Sequence, residues 1–157
     1  MINIRRGTID DLSQVHALIH ELAVYEKAPD EVTNTVEDMH WDGFGENPIF
    51  KFFVAETEEG IVGIALYYMA YSTWKGKMLF LEDLVVTERL RRSGIGKMLF
   101  NAVAREAKEI GAKRMKWQVL DWNEPAIAFY KKIGANLDGE WINCNMSEAQ
   151  LKAYSPS

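Results

Sequence analysis

Three apolar segments of strand type follow one another in the middle of the chain and limit its fold more than any other feature. "IFKFFVAET" (49–57) and "GIVGIALYYMAY" (60–71) are joined by the turn "EEG", and "GKMLFLEDLVV" (76–86) follows a second short turn. Runs rich in β-branched and aromatic residues with such turns between them are typical of hairpins. The three segments therefore predict an antiparallel meander.

Helical and strand periodicities flank this meander on both sides. The order β-α-α-β-β-β-α-β-α-β predicts an α+β fold, with a mixed, mostly antiparallel central sheet and helices on both faces. One domain is expected to span residues 1–157, because no linker or repeat interrupts the sequence. The elements outside the meander are expected at 2–6 (strand), Thr8 to about Glu26 (helix), Asn34 or Thr35 to just before Gly43 (helix), about Ile95 to just before Gly111 (helix), 113–120 (strand), 123–134 (helix), 136–146 (final strand) and after a cap at Ser147 (short helix).

Charge and hydropathy exclude several classes of function. The net charge of −5 disfavours nucleic acid and anionic membranes as partners and favours cationic ligands. The longest apolar run, 61–71, is too short to cross a bilayer, and no apolar signal region follows Met1. The single cysteine, Cys144, fits a cytoplasmic protein. His16, His20 and His40 lack the spacing of a ligand set, so no metal is expected.

Two adjacent acids interrupt the third apolar segment. Glu82 and Asp83 stand inside "MLFLEDLVV" (78–86), where burial of an unpaired carboxylate would cost several kcal/mol. In a regular strand the two side chains would point to opposite faces. A β-bulge, which is common beside active sites, would bring both to one cavity.

A glycine-containing turn follows the same strand. "RRSGIGK" (91–97) leads into an amphipathic helix, and amides at a helix N-terminus favour a phosphate or pyrophosphate. A simple helix entry is the alternative. A P-loop is excluded because Arg91 and Met98 stand where glycine and Ser/Thr are required.

"LEDLVVTERLRRSGIGKML" (81–99) together with "WNEPAIAFYKKIGA" (122–135) resembles the GNAT superfamily of N-acetyltransferases. Within it, the chain is similar to the diamine (spermidine/spermine) and thialysine acetyltransferases. The likeness also includes "IRRGTIDD", "ELAVYEK", "DGFGENP" and "YSTWKGK", and only the residues after Leu137 look divergent. The resemblance implies an acetyl-CoA-dependent enzyme with a GNAT-like sheet, a small-molecule amine substrate and a homodimeric assembly.

The resemblance assigns residues to the acetyl donor and to the chemistry. Glu82 would remove the proton of the acceptor ammonium, directly or through water, and Tyr130 would protonate the departing sulfur. A core aromatic beside Phe129 is the alternative for Tyr130. The backbone of the strand end and of the glycine turn would bind acetyl-CoA, and the start of the tyrosine helix would line its other side. These donor-binding residues are Leu84, Val85, Val86, Arg91, Arg92, Ser93, Gly94, Ile95, Gly96, Lys97, Asn123, Glu124, Pro125 and Ala126.

The acceptor side is expected to include Tyr25, Glu26, Glu82, Asp83 and Trp74. The alternatives are a solvated helix end for Tyr25 and Glu26, a packed turn residue for Trp74, and a structural salt bridge or cap for Asp83.

Ser72 departs from the polyamine-specific members, which tend to carry aspartate there, and this favours an amino-acid-like or short diamine acceptor. A protein lysine or N-terminus as acceptor, and a non-catalytic acyl-CoA sensor, are the alternative functions.

Overall fold

The computed structural model describes residues 1–156. The strands are β1 (Asn3–Arg6), β2 (Lys51–Thr57), β3 (Gly60–Ser72), β4 (Gly76–Val86) and β5 (Arg114–Lys116), and the α-helices are α1 (Leu12–Tyr25), α2 (Val36–Phe44), α3 (Ile95–Glu109), α4 (Glu124–Lys132) and α5 (Glu148–Ala153). The strands form one sheet in the order β1-β2-β3-β4-β5. All neighbours are antiparallel except β4 and β5, which are parallel. The predicted α+β fold and its meander are confirmed.

The chain forms two compact units. The first, Met1–Gln118, contains the sheet and helices α1 to α3, and the second begins at Val119 and contains α4 and α5. The single domain over residues 1–157 stays a prediction.

Helices cover both faces of the sheet in the first unit. On one face, Ile95, Leu99 and Val103 of α3 pack against strand residues such as Leu79 and Leu81. The other face packs against Leu12, Val15 and Leu18 of α1 and Met39 of α2. Each fully buried aliphatic side chain contributes roughly 1.5–3 kcal/mol, so these two layers fix the sheet between the helices.

Short polar motifs determine where the helices begin. The Asp11 carboxylate accepts hydrogen bonds from the Thr8 amide (2.8 Å) and hydroxyl (3.2 Å). Thr35 and Ser147 each take part in a capping box at the start of α2 and α5. These caps satisfy amides that have no partner inside a helix. The predicted starts at Thr35 and Ser147 are confirmed, whereas the helix predicted from Thr8 begins as α-helix only at Leu12, because Thr8 caps a short 3₁₀ turn, Ile9–Asp11, that precedes α1.

Ion pairs tie the first strand to the helices on both faces. The Arg5 guanidinium contacts both Asp11 carboxylate oxygens, at 2.8 and 3.0 Å. Its neighbour Arg6 is bonded to the buried Glu106 of α3 and to the Tyr67 hydroxyl. Removing one partner of such a pair would leave a charge without compensation, so these contacts help to hold α1 and α3 against the sheet.

Three predicted boundaries are corrected. The strand predicted at 113–120 is only Arg114–Lys116, because its pairing with β4 covers just Met78–Phe80. Residues 136–146 form no helix or strand, so the predicted final strand is wrong, since strand backbone requires a ladder partner. Helix α2 continues through Gly43, which is a packing position: a β-carbon there would lie 2.4 Å from the Phe50 ring.

Candidate active site

A β-bulge interrupts the pairing of β3 and β4 at the two acids. The partner of Leu66 is Asp83, but the partner of the next residue, Tyr67, is Leu81. Glu82 is therefore an extra residue without an opposite partner on β3. The bulge considered from the sequence is present.

The bulge reverses the alternation of side chains along β4. Before it, Leu79 and Leu81 belong to the core on the α3 side; after it, Val85 belongs to the core on the α1 side. An unbroken strand would have placed all three on one face. As a result, Glu82 and Asp83 both face the α1 side of the sheet.

The two acids differ in surroundings. Glu82 is exposed, and its Oε2 accepts a hydrogen bond from the Tyr68 hydroxyl at 3.2 Å. Asp83 is partly buried, and burial together with the charges of Glu82 and Glu26 raises its pKa to about 6. Burial also raises the pKa of Glu26. Within residues 1–156, no salt bridge involves Asp83, and a bound cation would relieve the repulsion among these carboxylates.

Tyr25 and Arg91 connect the end of α1 to the glycine turn. The Arg91 guanidinium carbon lies 4.6 Å from the centre of the Tyr25 ring, a cation–π geometry. The same side chain donates from Nε to the Val86 carbonyl at 3.2 Å. Tyr25 and Glu26 are half-buried rather than fully solvated. Trp74 is 86% exposed on the β3–β4 turn, so it does not pack on the core.

The end of β4 has an open edge. Its ladder with β5 stops at Phe80, six residues before the strand ends at Val86. The Thr87 amide bonds the Val62 carbonyl on the β3 side. Since backbone groups alternate in direction along a strand, those of Leu84 and Val86 point away from β3. This open edge could accept an extended ligand as an added strand.

The glycine turn presents the N-terminus of α3 without a side-chain cap. Gly94, the N-cap, has φ of +88°, and Arg92 has φ of +65°. Apart from Gly94 and its two chain neighbours, no atom of residues 1–156 lies within 4 Å of the position that a β-carbon on Gly94 would take. The first-turn amides of a helix have no intrahelical acceptor, and Arg92 and Lys97 add exposed positive charge. These residues fit a pyrophosphate group.

The remaining predicted residues belong to the second unit. The Asn123 side chain caps α4 by accepting a hydrogen bond from the Ala126 amide at 3.4 Å, and Glu124 and Pro125 form its first turn. Tyr130 is only 8% exposed, and burial raises its pKa to about 12. Its ring centre lies 5.4 Å from that of Phe129.

Tyr68 is a polar neighbour of the acids that the sequence analysis missed. The hairpin turn pairs Ser72 with Gly76 and therefore Tyr68 with Phe80, which places the Tyr68 ring diagonal to Glu82 on one face. The hairpin register was the signal that could have identified it.

The described residues offer neither a cluster of metal ligands nor a membrane-spanning helix. Among residues 1–156, no group of three or more His, Cys, Asp or Glu side chains is arranged to hold a metal ion. Over the same residues, no helix combines the length and the apolar character needed to cross a membrane.

Comparison with known proteins identifies the family. Residues 12–135 match the family model described as acetyltransferase (GNAT) family. The chain therefore belongs to the GNAT family and is an N-acetyltransferase.

Individual relatives are similar over most of the chain. The thialysine N-epsilon-acetyltransferase of Bos taurus is 39% identical over 142 residues, which cover 85% of this chain and 84% of that protein. The human spermidine/spermine N(1)-acetyltransferase-like protein 1 is 34% identical over 84% of this chain and 20% of its own length. A solved aminoglycoside N-acetyltransferase, AAC(6')-Iy in complex with CoA, superposes with a TM-score of 0.74 at 19% identity, covering 93% of this chain and 95% of that one. That last likeness concerns the fold alone.

Proposed function

We propose that this enzyme transfers the acetyl group of acetyl-CoA directly to a primary amine of a small cationic acceptor, either a thialysine- or lysine-like amino acid or a di- or polyamine. One observation carries the proposal. The bulge turns Glu82 and Asp83 to the same face of β4, and the open edge and the glycine turn follow within the same stretch of chain. An acceptor site and a donor site are thus adjacent in sequence.

The donor side would use backbone groups. Amides from Arg92 to Lys97 at the start of α3 would hold the pyrophosphate, as the uncapped helix end supports. Leu84 and Val86 would offer backbone groups on the open edge to the pantetheine arm, apart from the Val86 carbonyl, which accepts from Arg91. Val85 is assigned to the same site by the resemblance, although its own backbone groups face β3. The residues Asn123 to Ala126 are assigned to the other side of the donor by the resemblance. When bound, acetyl-CoA supplies an activated thioester.

The acceptor side would attract and deprotonate an ammonium. An alkyl-ammonium has a pKa of about 10.4, so it is protonated and unreactive at neutral pH. Glu82 would take its proton, directly or through water. Asp83 and Glu26, with raised pKa values, would be stabilised as carboxylates by the acceptor's charge. Tyr25 and Trp74 would supply aromatic walls.

Tyr130 would act at the leaving group. As the C–N bond forms and the C–S bond breaks, negative charge develops on sulfur. A phenol with a pKa of about 12 keeps its proton at neutral pH, so it can donate to this sulfur.

The names of the relatives bear on the acceptor. Thialysine and spermidine/spermine both carry a primary amine on a flexible chain. The activities for which these relatives are named support a small amine as the acceptor of this enzyme. Ser72 caps the β3–β4 turn by accepting a hydrogen bond from the Lys75 amide at 3.1 Å and contributes no negative charge. We therefore place a thialysine-like or short diamine acceptor ahead of a long polycation. The homodimer and the cytoplasmic location stay predictions of the sequence.

An amine panel tests the proposed function. Purified protein with acetyl-CoA is given thialysine, lysine, putrescine, spermidine or a lysine-containing peptide, and thiol release is followed. We expect at least one small amine to exceed the peptide in kcat/KM by about tenfold or more, a difference of about 1.4 kcal/mol. Preference for the peptide would favour a protein acceptor. Tight acetyl-CoA binding without transfer to any amine would favour a sensor.

Gly96→Ala separates donor binding from stability. The added methyl would lie 3.8 Å from Val86 Cγ2, an ordinary contact, and alanine favours a helix by about 0.8–1 kcal/mol. The same methyl would obstruct close approach of the pyrophosphate. We expect unchanged or higher stability in urea, but a Kd for acetyl-CoA raised about tenfold by calorimetry.

Gly139→Ala is the matched control, because Gly139 lies in the irregular segment 136–146 with open space around it. Unchanged acetyl-CoA binding by the Gly96 variant would contradict the assignment of the amides from Arg92 to Lys97 to the pyrophosphate.

A further inference from the structure

Tyr68 is held in place by its cross-strand neighbour. It lies on β3 opposite Phe80 of β4, and the two rings stack with centroids 5.3 Å apart and an interplanar angle of 23°. The side chain is half-buried. Stacking of this kind restricts the ring, so the hydroxyl group has a defined position at the end of a rigid side chain.

Glu82 lacks comparable support from its own strand. The bulge leaves it without a partner residue on β3, and its side chain is exposed. Within residues 1–156, the Tyr68 hydroxyl is the hydrogen-bond donor to its carboxylate, at 3.2 Å from Oε2. A flexible side chain that must meet a reacting amine loses rotamer freedom when it does so. A donor from a rigid neighbour reduces that cost in advance.

We propose that Tyr68 is a positioning residue for Glu82: its hydroxyl donates to Oε2 and orients the carboxylate so that Oε1 faces the acceptor amine. This inference rests on the proposed function, in which Glu82 is the base. Tyr68 itself exchanges no proton with the acceptor. Its role is to fix the geometry of the base.

The charges around Glu82 determine what removal of the hydroxyl does. Asp83 lies beside it on β4, Glu26 approaches from α1, and Tyr68 approaches from β3. Burial, with the charges of Glu82 and Asp83, raises the pKa of Tyr68, so its hydroxyl remains a donor through the neutral range. Loss of this hydroxyl would therefore remove the group that orients the exposed carboxylate.

The test compares Tyr68→Phe, Glu82→Gln and the double variant. Tyr68→Phe keeps the ring that stacks on Phe80 and removes only the hydroxyl. We expect kcat for the amine to fall about tenfold and the KM for acetyl-CoA to stay unchanged. Tyr71→Phe, at a 74% exposed position on the same strand, should match the wild type in both readouts.

The double variant distinguishes positioning from packing. If Tyr68 acts through Glu82, adding Tyr68→Phe to Glu82→Gln should change kcat by less than about twofold. Equal losses in both backgrounds would overturn the proposal. A wild-type kcat for Tyr68→Phe would also overturn it; if Glu82→Gln is inactive in the same assay, the proposed function still stands. A fully active Glu82→Gln would overturn both.

If Tyr68→Phe does not fold, the order of the Glu82 side chain in the wild-type protein decides the question without turnover. NMR relaxation of the Glu82 Cγ methylene is compared with that of Glu58, which is exposed on the β2–β3 turn. Under the proposal, the Glu82 side chain is the more ordered of the two because the Tyr68 hydroxyl holds it. Equal order at the two positions would overturn the proposal.

Discussion

Glu82→Gln is expected to reduce kcat/KM for the amine by about 10²- to 10⁴-fold at neutral pH, because the acceptor would keep its proton and could not attack. The fold should be unaffected. Glu82 is exposed, and an amide oxygen at the same position can still accept the hydrogen bond of Tyr68. The measurement is thiol release from acetyl-CoA, with thermal unfolding of both proteins recorded in the same buffer.

The pH dependence makes this prediction specific for a base. Below the amine pKa of about 10.4, the fraction of free amine rises about tenfold for each pH unit. A variant that has lost its base depends on this free amine, so the deficit of Glu82→Gln should shrink as the pH rises. Glu58→Gln, a charge-matched change at the exposed β2–β3 turn, should behave as the wild type. A deficit that is constant over pH would point instead to lost binding.

Tyr130→Phe should lower kcat by about 10²-fold and leave both KM values within about twofold. The ring that packs beside Phe129 is retained, and only the hydroxyl is removed. Because the pKa of Tyr130 is about 12, the wild-type hydroxyl is protonated at any pH in the assay, so this loss should not depend on pH. That behaviour differs from the one expected for Glu82→Gln.

The contrast between the two variants can be checked in one set of pH–rate profiles. Tyr154→Phe, 62% exposed after α5, is the matched control for removal of a phenolic hydroxyl. An unchanged kcat for Tyr130→Phe, with lower stability, would support the alternative in which Tyr130 is a core aromatic.

Local chemistry explains which parts of the fold could be predicted. The strands of the meander and the caps at Thr8, Thr35 and Ser147 depend on neighbours a few residues away, and their positions follow from the sequence. The end of α2 could not be predicted in this way. The glycine at position 43 is required by contact with the Phe50 ring, which lies outside the helix, and does not mark the helix end. Strand β5 is shorter than its apolar pattern because the chain after Lys116 no longer pairs with β4, although β4 itself continues to Val86.

The candidate site shows the same division. The acids and the glycine turn are recognisable as residue types in the sequence, and the resemblance gave them roles. The sequence left open which face of the sheet the Asp83 side chain lies on. Regular alternation would place it opposite Glu82, whereas a bulge places both side chains on one face. Tyr68 was missed because its relation to Glu82 appears only when two strands are paired in register.

The bulge at Glu82 also has a consequence for how this segment can vary. Because Glu82 has no opposite residue on β3, its deletion would leave the pairs Leu66–Asp83 and Tyr67–Leu81 in register and return β4 to plain alternation. Val85 would stay in its present core, whereas deletion of a paired residue such as Leu84 would turn the residues after it to the opposite face. The register of the sheet therefore does not require Glu82, and what the extra residue adds is a second carboxylate on the α1 face.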